Sequence, residues 1–222
     1  MTVAEYLFIA FPAIFVILNP FSAASSFLIL TTGNDERSKN DIAKRACITA
    51  FFVLIVFAIA GHFIFNMFNI TISAFRIAGG IIMFTIGLSM LQLQPQRIKQ
   101  TEEEMEESLH KTDVAIVPLG IPLLSGPGAI TTVMVLMTEI DKTSLLIGIM
   151  QMACLVLSCA LSLVLIYYIL THSGKMLDIL KVTGVGVMTR IMGLILTVIA
   201  TQFVINGVKD LLPEFAKLLS HS

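Results

Sequence analysis

Charged residues are missing from long stretches of this sequence, and this absence constrains the fold more than any other feature. Of the 222 residues, 56% are apolar and only 13% are charged, against about 45–50% and 25% in soluble domains. A helix needs about 20 apolar residues to cross the hydrocarbon core of a bilayer. The sequence therefore predicts an all-α membrane protein with six transmembrane helices, at about 6–31, 42–66, 75–94, 115–138, 144–170 and 187–209.

The first window lacks a preceding Lys or Arg and contains an internal Asn-Pro, so we expect it to remain in the mature protein rather than to be cleaved as a signal peptide. The three cysteines, Cys47, Cys154 and Cys159, lie in apolar windows and are expected to be small buried residues rather than a disulfide framework. The sequence contains no basic patch with interleaved aromatic residues, so it gives no indication of nucleic-acid binding.

The positions of Lys and Arg predict the orientation of the chain in the membrane. The loops after the first, third and fifth windows are rich in Lys and Arg, whereas the opposite loops contain few. Because positively charged loops stay in the cytoplasm, these three loops are expected to be cytoplasmic. We therefore predict a multi-pass protein of the cytoplasmic (inner) membrane with both termini outside.

The two halves of the sequence carry the same signals in the same order. Pro20 aligns with Pro127, the run Arg76-Ile-Ala-Gly79 matches Arg190-Ile-Met-Gly193, and the amides Gln92 and Asn206 correspond. Three helices per half is an odd number, so the second half, 114–222, is predicted to be inverted relative to the first, 1–94. The polar segment 95–113, with its acidic run, is expected to be a solvated cytoplasmic linker rather than a metal site.

Each half begins with a span that is interrupted by proline, at Asn19-Pro20 and at Gly126-Pro127-Gly128. Proline removes a backbone donor and disfavours helical geometry in the residue before it, which is expected to leave carbonyls near Val16 unpaired. Unpaired backbone groups survive in a membrane only when they are buried in protein or line a wet cavity. Two broken spans in matching positions therefore indicate the binding site of a transporter, with helices 1 and 4 discontinuous.

The chemistry of the breaks suits a zwitterion. A new helix N-terminus offers free N–H groups to an anionic group, and the preceding helix C-terminus offers carbonyls to a cation. The alternative is that the prolines only kink the helices, since proline is common in membrane helices. The residues predicted to bind substrate are Asn19, Pro20, Phe21, Ser22, Ser25, Ser125, Gly126, Pro127, Gly128, Ala129, Thr131 and Thr132.

No Asp or Glu lies in the middle of a predicted span, which favours a small polar substrate without net charge. Glu139 and Asp141 are placed at an outer edge. Na⁺ could be bound by carbonyl and hydroxyl oxygens, whereas no proton carrier can be assigned, so the coupling ion, H⁺ or Na⁺, is left open. No metal or organic cofactor and no catalytic residue is predicted, and the expected partners are the small-molecule substrate and the lipid bilayer.

Four polar residues are candidates for gating or for lining the pathway: Arg76, Arg190, Gln92 and Asn206. The arginines could instead extend to lipid headgroups, and the amides could simply bond between helices. His62 is more readily explained as an interfacial residue than as a proton carrier.

Four motifs together resemble the MarC family of integral membrane proteins: Leu18-Asn19-Pro20, Phe75-Arg-Ile-Ala-Gly-Gly80, Ile121-Pro-Leu-Leu-Ser-Gly-Pro-Gly-Ala129 and Thr189-Arg-Ile-Met-Gly193. The resemblance implies inverted three-helix repeats and transport of small neutral amino acids, glycine and alanine. It implies substrate contacts at 19–22 and 126–129. The family often has Ile-Gly after Asn-Pro, where this chain has Phe21-Ser22.

The expected function is thus a secondary transporter for small neutral amino acids that works by alternating access. The alternatives are an exporter or channel for another small uncharged solute, a membrane enzyme, and a non-transporting scaffold. An enzyme is disfavoured because the spans offer neither a His beside a Ser nor two carboxylates.

Overall fold

A computed structural model describes residues 1–93, 115–141 and 143–220, so the predicted linker 95–113 lies almost entirely outside the described residues. Within these ranges the chain is helical and contains no strand. The helices are α1 Val3–Ile17, α2 Pro20–Leu30, α3 Glu36–Met67, α4 Ile72–Leu91, the π-helix α5 Ala115–Leu124, α6 Pro127–Thr138, α7 Leu145–Thr171 and α8 Ser173–Ser220.

Five stretches of the described chain are long and apolar enough to cross a membrane: Val3–Leu30, Glu36–Gly61, Ile72–Leu91, Leu145–Thr171 and Thr183–Leu212. The predicted window 115–138 differs from them, because it consists of α5 and the 12-residue apolar helix α6. Helix α5 carries Pro118 and Pro122, which lack N–H donors, and its backbone winds as a π-helix.

Two helices extend beyond the apolar windows that predicted them. Helix α3 begins at Glu36, six residues before its window, because polar residues can continue a helix outside the hydrocarbon region. Helix α8 begins at Ser173 and is kinked at Lys181, whose φ of 54° and ψ of 177° are not helical. Hydropathy therefore located the apolar part of each helix rather than its ends.

The outer surface of the helices is strongly apolar. Many large side chains are exposed, including Phe8, Ile29, Leu145 and Ile179, each at least 75% exposed. A soluble protein would rarely present so much contiguous apolar surface to water. In an integral membrane protein these side chains face lipid, and the buried core combines large side chains such as Tyr6 and Phe27 with small ones such as Ala10, Ala13 and Ala46.

Helices α4 and α8 pack against each other in antiparallel fashion along a seam of small residues. On α4 the seam has Ser73, Gly80 and Gly87, seven residues apart, and on α8 it has Gly207, Ala200 and Gly193, with the same spacing. A Cβ atom added to Gly80 would lie 2.8 Å from the carbonyl oxygen of Ala200, and one added to Gly193 would lie 2.8 Å from that of Gly87. Small residues allow such close backbone contact between membrane helices.

The broken helices α1 and α6 also run antiparallel, side by side. The Tyr6 hydroxyl at the start of α1 donates to the Leu136 carbonyl near the end of α6, at 3.0 Å. Helix α6 packs on α4 as well, where Gly79 faces Thr131 and Val135. Helix α6 is thus held between α1 and α4.

Replacing Tyr6 with phenylalanine is expected to lower the free energy of unfolding by about 0.5–1.5 kcal/mol, the usual value of one buried hydrogen bond. The loss stays modest because the Leu136 carbonyl also accepts from the Glu139 N–H, at 3.1 Å. Thermal unfolding in detergent measures the change. Tyr168→Phe, at an exposed tyrosine, is the control, and equal melting temperatures for the two variants would contradict the prediction.

Candidate substrate site and access pathway

The first break follows from the backbone conformation of Asn19. Its φ of 45° and ψ of 68° lie in the left-handed region, which asparagine tolerates better than most residues. The Asn19 side chain caps α2, because its Oδ1 accepts from the Ser22 N–H at 3.4 Å and its Nδ2 donates to Ser22 Oγ at 2.8 Å. Asn19 is only 7% exposed, so the break is inside the protein.

The end of α1 corrects one prediction from the sequence. The carbonyl of Val16 is not unpaired, because it accepts from the Asn19 N–H at 3.1 Å in a final tight turn. On the other side of the break, the N–H of Ala23 bonds to the Asn19 carbonyl at 3.0 Å. Pro20 has no N–H, which leaves the N–H of Phe21 as the open donor at the start of α2.

The second break has no side-chain cap. Gly126 is the N-cap of α6 in an extended conformation, and Pro127 is the first helical residue. Proline lacks an N–H, and the first intrahelical bond is donated by Ile130 to the Gly126 carbonyl. The N–H groups of Gly128 and Ala129 are therefore the open donors, so this helix start offers more to an anionic group than the first one does.

The structure brings the two breaks together. A Cβ atom added to Gly128 would lie 3.1 Å from Cδ1 of Ile17, the last residue of α1, and 2.5 Å from Cδ1 of Ile86 on α4. Gly128 and Ala129 are buried, as are Asn19 and Pro20, whereas Pro127 is exposed and Phe21 is half-buried. The start of α6 thus lies against the end of α1, as two halves of one site would require.

Three of the hydroxyl groups near the breaks donate to nearby backbone carbonyls. Ser25 donates to the Phe21 carbonyl, and Thr132 donates to that of Gly128. Ser125 donates to Gly120, and the methyl group of Thr131 packs on Gly79. Because their hydrogens are engaged, Ser25, Ser125 and Thr132 can offer a substrate only acceptor lone pairs, which suit an ammonium group.

Two cavities lie at opposite ends of the molecule, and neither is lined by a residue of the breaks. A cavity of about 320 Å³ is lined by Tyr6, Pro12 and Glu139, among others, and we call its side the Arg76 end. A cavity of about 570 Å³ is lined by Phe27, Lys39 and His172, and we call its side the His172 end. Pro12 precedes the first break and Phe27 follows it, so the break lies between the two cavities along the α1–α2 path.

Arg76 joins three helices at the Arg76 end. Its Nη1 pairs with Asp210 on α8, and its Nη2 donates to the carbonyl oxygen of Thr138 at 3.0 Å. Its Nε lies 3.2 Å from Thr138 Oγ1 and 3.1 Å from Oε1 of Glu139, the residue after α6. Arg76 therefore does not simply extend to a lipid headgroup. Its guanidinium is shared by the carboxylates of Asp210 and Glu139.

The Glu139 carboxyl is held in an unfavourable environment for a charge. Its Oε1 is buried, and no aligned hydrogen bond reaches it from the described residues. Burial raises the pKa of Glu139; Arg76 opposes this effect, Asp210 adds to it, and a side-chain hydrogen bond from Asn206 lowers the pKa. The neighbouring Asp141 differs, because hydrogen bonds from Thr143 lower its pKa.

The other predicted pathway residues do not share one place. Asn206 lines the cavity at the Arg76 end, where Gln202 donates to its Oδ1 at 2.9 Å. Gln92 is exposed and forms the C-cap of α4, and Arg190 is exposed on α8. The structure thus places Arg76 and Asn206 at one end of the α4–α8 pair. Gln92 and Arg190 lie at the opposite end, where a Cβ atom added to Gly193 would lie 3.0 Å from the Leu91 nitrogen.

Glu139 and Asp210 were the residues that sequence reasoning underused. The sequence predicts an outer-edge position for Glu139 and indicates no role for Asp210. The available signal was an arginine just inside a predicted span, because a charge at that depth normally pairs with another. The contacts of Arg76 join residues 62 and 134 positions apart, so no local pattern could identify the partners.

Comparison with known proteins agrees with the helical, apolar architecture. The model of the MarC family of integral membrane proteins matches residues 4–212. A UPF0056 membrane protein of Methanocaldococcus jannaschii is 38% identical over 208 residues, which cover 94% of this chain and 98% of the relative. The UPF0056 membrane protein YvbG of Bacillus subtilis is 35% identical, with 91% of this chain and 94% of the relative covered.

A UPF0056 membrane protein of Escherichia coli, YhcE, is 31% identical, with 91% of this chain and 92% of the relative covered. No solved structure matches the chain. The matched residues include both breaks, and they also include Arg76 and its partners Thr138, Glu139 and Asp210. The chain therefore belongs to the MarC family of integral membrane proteins.

Proposed function

We propose that this protein is a secondary transporter that moves small neutral amino acids, such as glycine and alanine, across the cytoplasmic membrane by alternating access. The observation that carries the proposal is the meeting of the two helix breaks, where Gly128 lies against Ile17 between two cavities at opposite ends. Open N–H groups at the start of α6 suit a carboxylate, and hydroxyl and carbonyl oxygens suit an ammonium group.

The proposal includes a six-span architecture of two inverted three-helix repeats, with α1–α2 and α5–α6 as the discontinuous spans. The matching breaks and the antiparallel packing of α4 on α8 support it. The positive loops support an orientation with both termini outside. We propose a transporter rather than an enzyme, because the polar groups at the breaks are hydroxyls, amides and backbone groups without a paired base.

Uptake of radiolabelled glycine into proteoliposomes tests the function. We expect saturable uptake above protein-free vesicles, and accelerated uptake when the vesicles are preloaded with unlabelled glycine, because a carrier exchanges substrate through one site. Imposing H⁺ and Na⁺ gradients separately identifies the coupling ion. Glycine flux without saturation or exchange would indicate a channel, and no flux under any gradient would remove the proposal in favour of an exporter or channel for another small uncharged solute.

A further inference from the structure

The cavity at the Arg76 end has the composition of a binding site for an organic ammonium group. Its walls are mostly apolar, with Tyr6, Val198 and Phe203 among them, and its polar groups are chiefly Glu139, Gln202 and Asn206. Pockets that bind small molecules typically have volumes of about 300–1,000 Å³ and a few convergent polar groups in apolar walls. At about 320 Å³, this cavity is large enough for a small amino acid.

The carboxylate of Glu139 is the only acidic group among the described residues that line this cavity. One of its oxygens, Oε1, is turned toward Arg76 and buried, while the side chain as a whole keeps 18% exposure. Arg76 neutralises the negative charge of Glu139 only in part, because the same guanidinium also pairs with Asp210 and donates to the Thr138 carbonyl. Asn206 hydrogen-bonds to the carboxylate, but Oε1 has no aligned donor among the described residues. A partly desolvated carboxylate with one such oxygen gains from a cationic donor that enters the cavity.

We propose that this cavity is a second binding site, in which Glu139 receives the ammonium group of the substrate before the substrate reaches the helix breaks. The inference rests on the proposed transport of zwitterionic amino acids. The site is distinct from the breaks: Glu139, the C-cap of α6, follows Pro127 by 12 residues, which corresponds to about 18 Å at 1.5 Å per residue. An entering ammonium group replaces Arg76 at Glu139, and Arg76 retains Asp210 and the Thr138 carbonyl.

The chemistry of the walls favours an ammonium group on a short apolar body over an inorganic cation. A hard cation such as Na⁺ or Ca²⁺ requires several oxygen ligands at once. The side chains of the described lining supply one carboxylate, two amides and the Tyr6 hydroxyl, which donates to the Leu136 carbonyl. The Asn206 amide oxygen already accepts from Gln202. Most of the remaining lining is hydrocarbon, which suits the methylene and methyl groups of small amines and amino acids.

Binding of n-propylammonium, measured by ligand-observed NMR on the purified protein in non-ionic detergent, tests the inference without any transport assay. We expect saturable binding of n-propylammonium and none of propionate over the same concentrations. Glu139→Gln is expected to weaken binding about 10- to 100-fold, the range for a lost hydrogen bond to a charged group. Asp141→Asn, which alters a nearby acid that does not line the cavity, is expected to leave affinity within about twofold.

Arg76→Gln distinguishes a binding role from a structural one. The substitution removes the guanidinium that competes with the ligand for Glu139, so we expect n-propylammonium to bind more tightly. If the network of Arg76 only stabilised the structure, its loss would weaken binding. Val198→Trp, which fills the cavity from an exposed position, is expected to abolish binding and does not depend on the stability of the charged network. Unchanged affinity in Glu139→Gln or Val198→Trp, weaker binding in Arg76→Gln, or equal binding of propionate would each overturn the inference.

The outcomes separate this inference from the proposed function. Glycine uptake with wild-type kinetics in Glu139→Gln, together with no n-propylammonium binding, removes the second site and leaves the transporter. If n-propylammonium binds in a way that depends on Glu139 but the protein transports no glycine, the proposal that glycine is the transported substrate is rejected. The proposal of an ammonium site is then retained. If both the transport of glycine and the second site are correct, we expect Glu139→Gln to raise the KM for glycine more than it lowers the maximal rate.

Discussion

Replacing Gly87 with leucine is expected to destabilise the protein more than any other single change considered. A Cβ atom at this position would lie 2.4 Å from Thr197 Oγ1 and 3.0 Å from both the Gly193 carbonyl oxygen and the Thr197 nitrogen. Two of these atoms belong to the backbone of α8, so rotation of a side chain cannot relieve the contact. We expect a loss of about 3 kcal/mol or more, the upper range for overpacking of a core.

Thermal unfolding can be followed with a thiol-reactive fluorophore, because the chain has no tryptophan and two of its free cysteines, Cys47 and Cys159, are buried. A loss of about 3 kcal/mol corresponds to a fall in melting temperature of roughly 6–12 °C for a chain of this size. Gly174→Leu is the control, since a Cβ there meets nothing within 4 Å. If both variants melt at the same temperature, the α4–α8 seam is not closely packed.

Replacing Asn19 with leucine is expected to have the largest effect on transport. The substitution removes the cap on Ser22 and forces a non-polar side chain into the left-handed conformation at φ 45°. The lost cap costs about 0.5–2 kcal/mol and the conformation about 1–2 kcal/mol. The first break is expected to rearrange, and glycine uptake to fall by at least about 30-fold, which corresponds to 2 kcal/mol.

Asn69→Leu is a matched control for this variant. Asn69 has nearly the same backbone conformation, with φ 52°, but it is exposed between α3 and α4. Asn19→Gly keeps the backbone conformation and removes only the side chain, so it is expected to cost only a few tenths of a kcal/mol in capping. Equal uptake by the leucine variants at 19 and 69, per folded molecule, would show that the first break does not bind or position substrate.

The helix breaks could be predicted from sequence because their causes are local. Proline removes an N–H wherever it occurs and disfavours helical geometry in the residue before it. Asn19 tolerates the left-handed conformation, and Gly126 takes the extended conformation that is usual before proline. The apolar windows likewise located the five stretches of the described chain that are long and apolar enough to cross a membrane, because hydropathy depends on composition alone. The same reasoning misjudged the Val16 carbonyl, which a single tight turn satisfies through Asn19.

The rest of the site depended on tertiary contacts. The sequence could not indicate that the hydroxyls of Ser25, Ser125 and Thr132 donate to backbone carbonyls four or five residues earlier, because this depends on side-chain rotation after folding. It also could not indicate that Arg76 contacts Glu139 and Asp210, which approach it from other helices. The repeat aligned Gln92 with Asn206, yet only Asn206 lines a described cavity.

The seam between α4 and α8 determines which motion can change access to the helix breaks. These helices come from opposite halves of the chain, and their backbones already touch at Gly80, Gly87 and Gly193. Opening the molecule between the halves would expose this contact to lipid and forfeit its dispersion energy. For the transport cycle proposed above, we therefore expect the short helical segments on either side of each proline to move while α4 and α8 stay packed together.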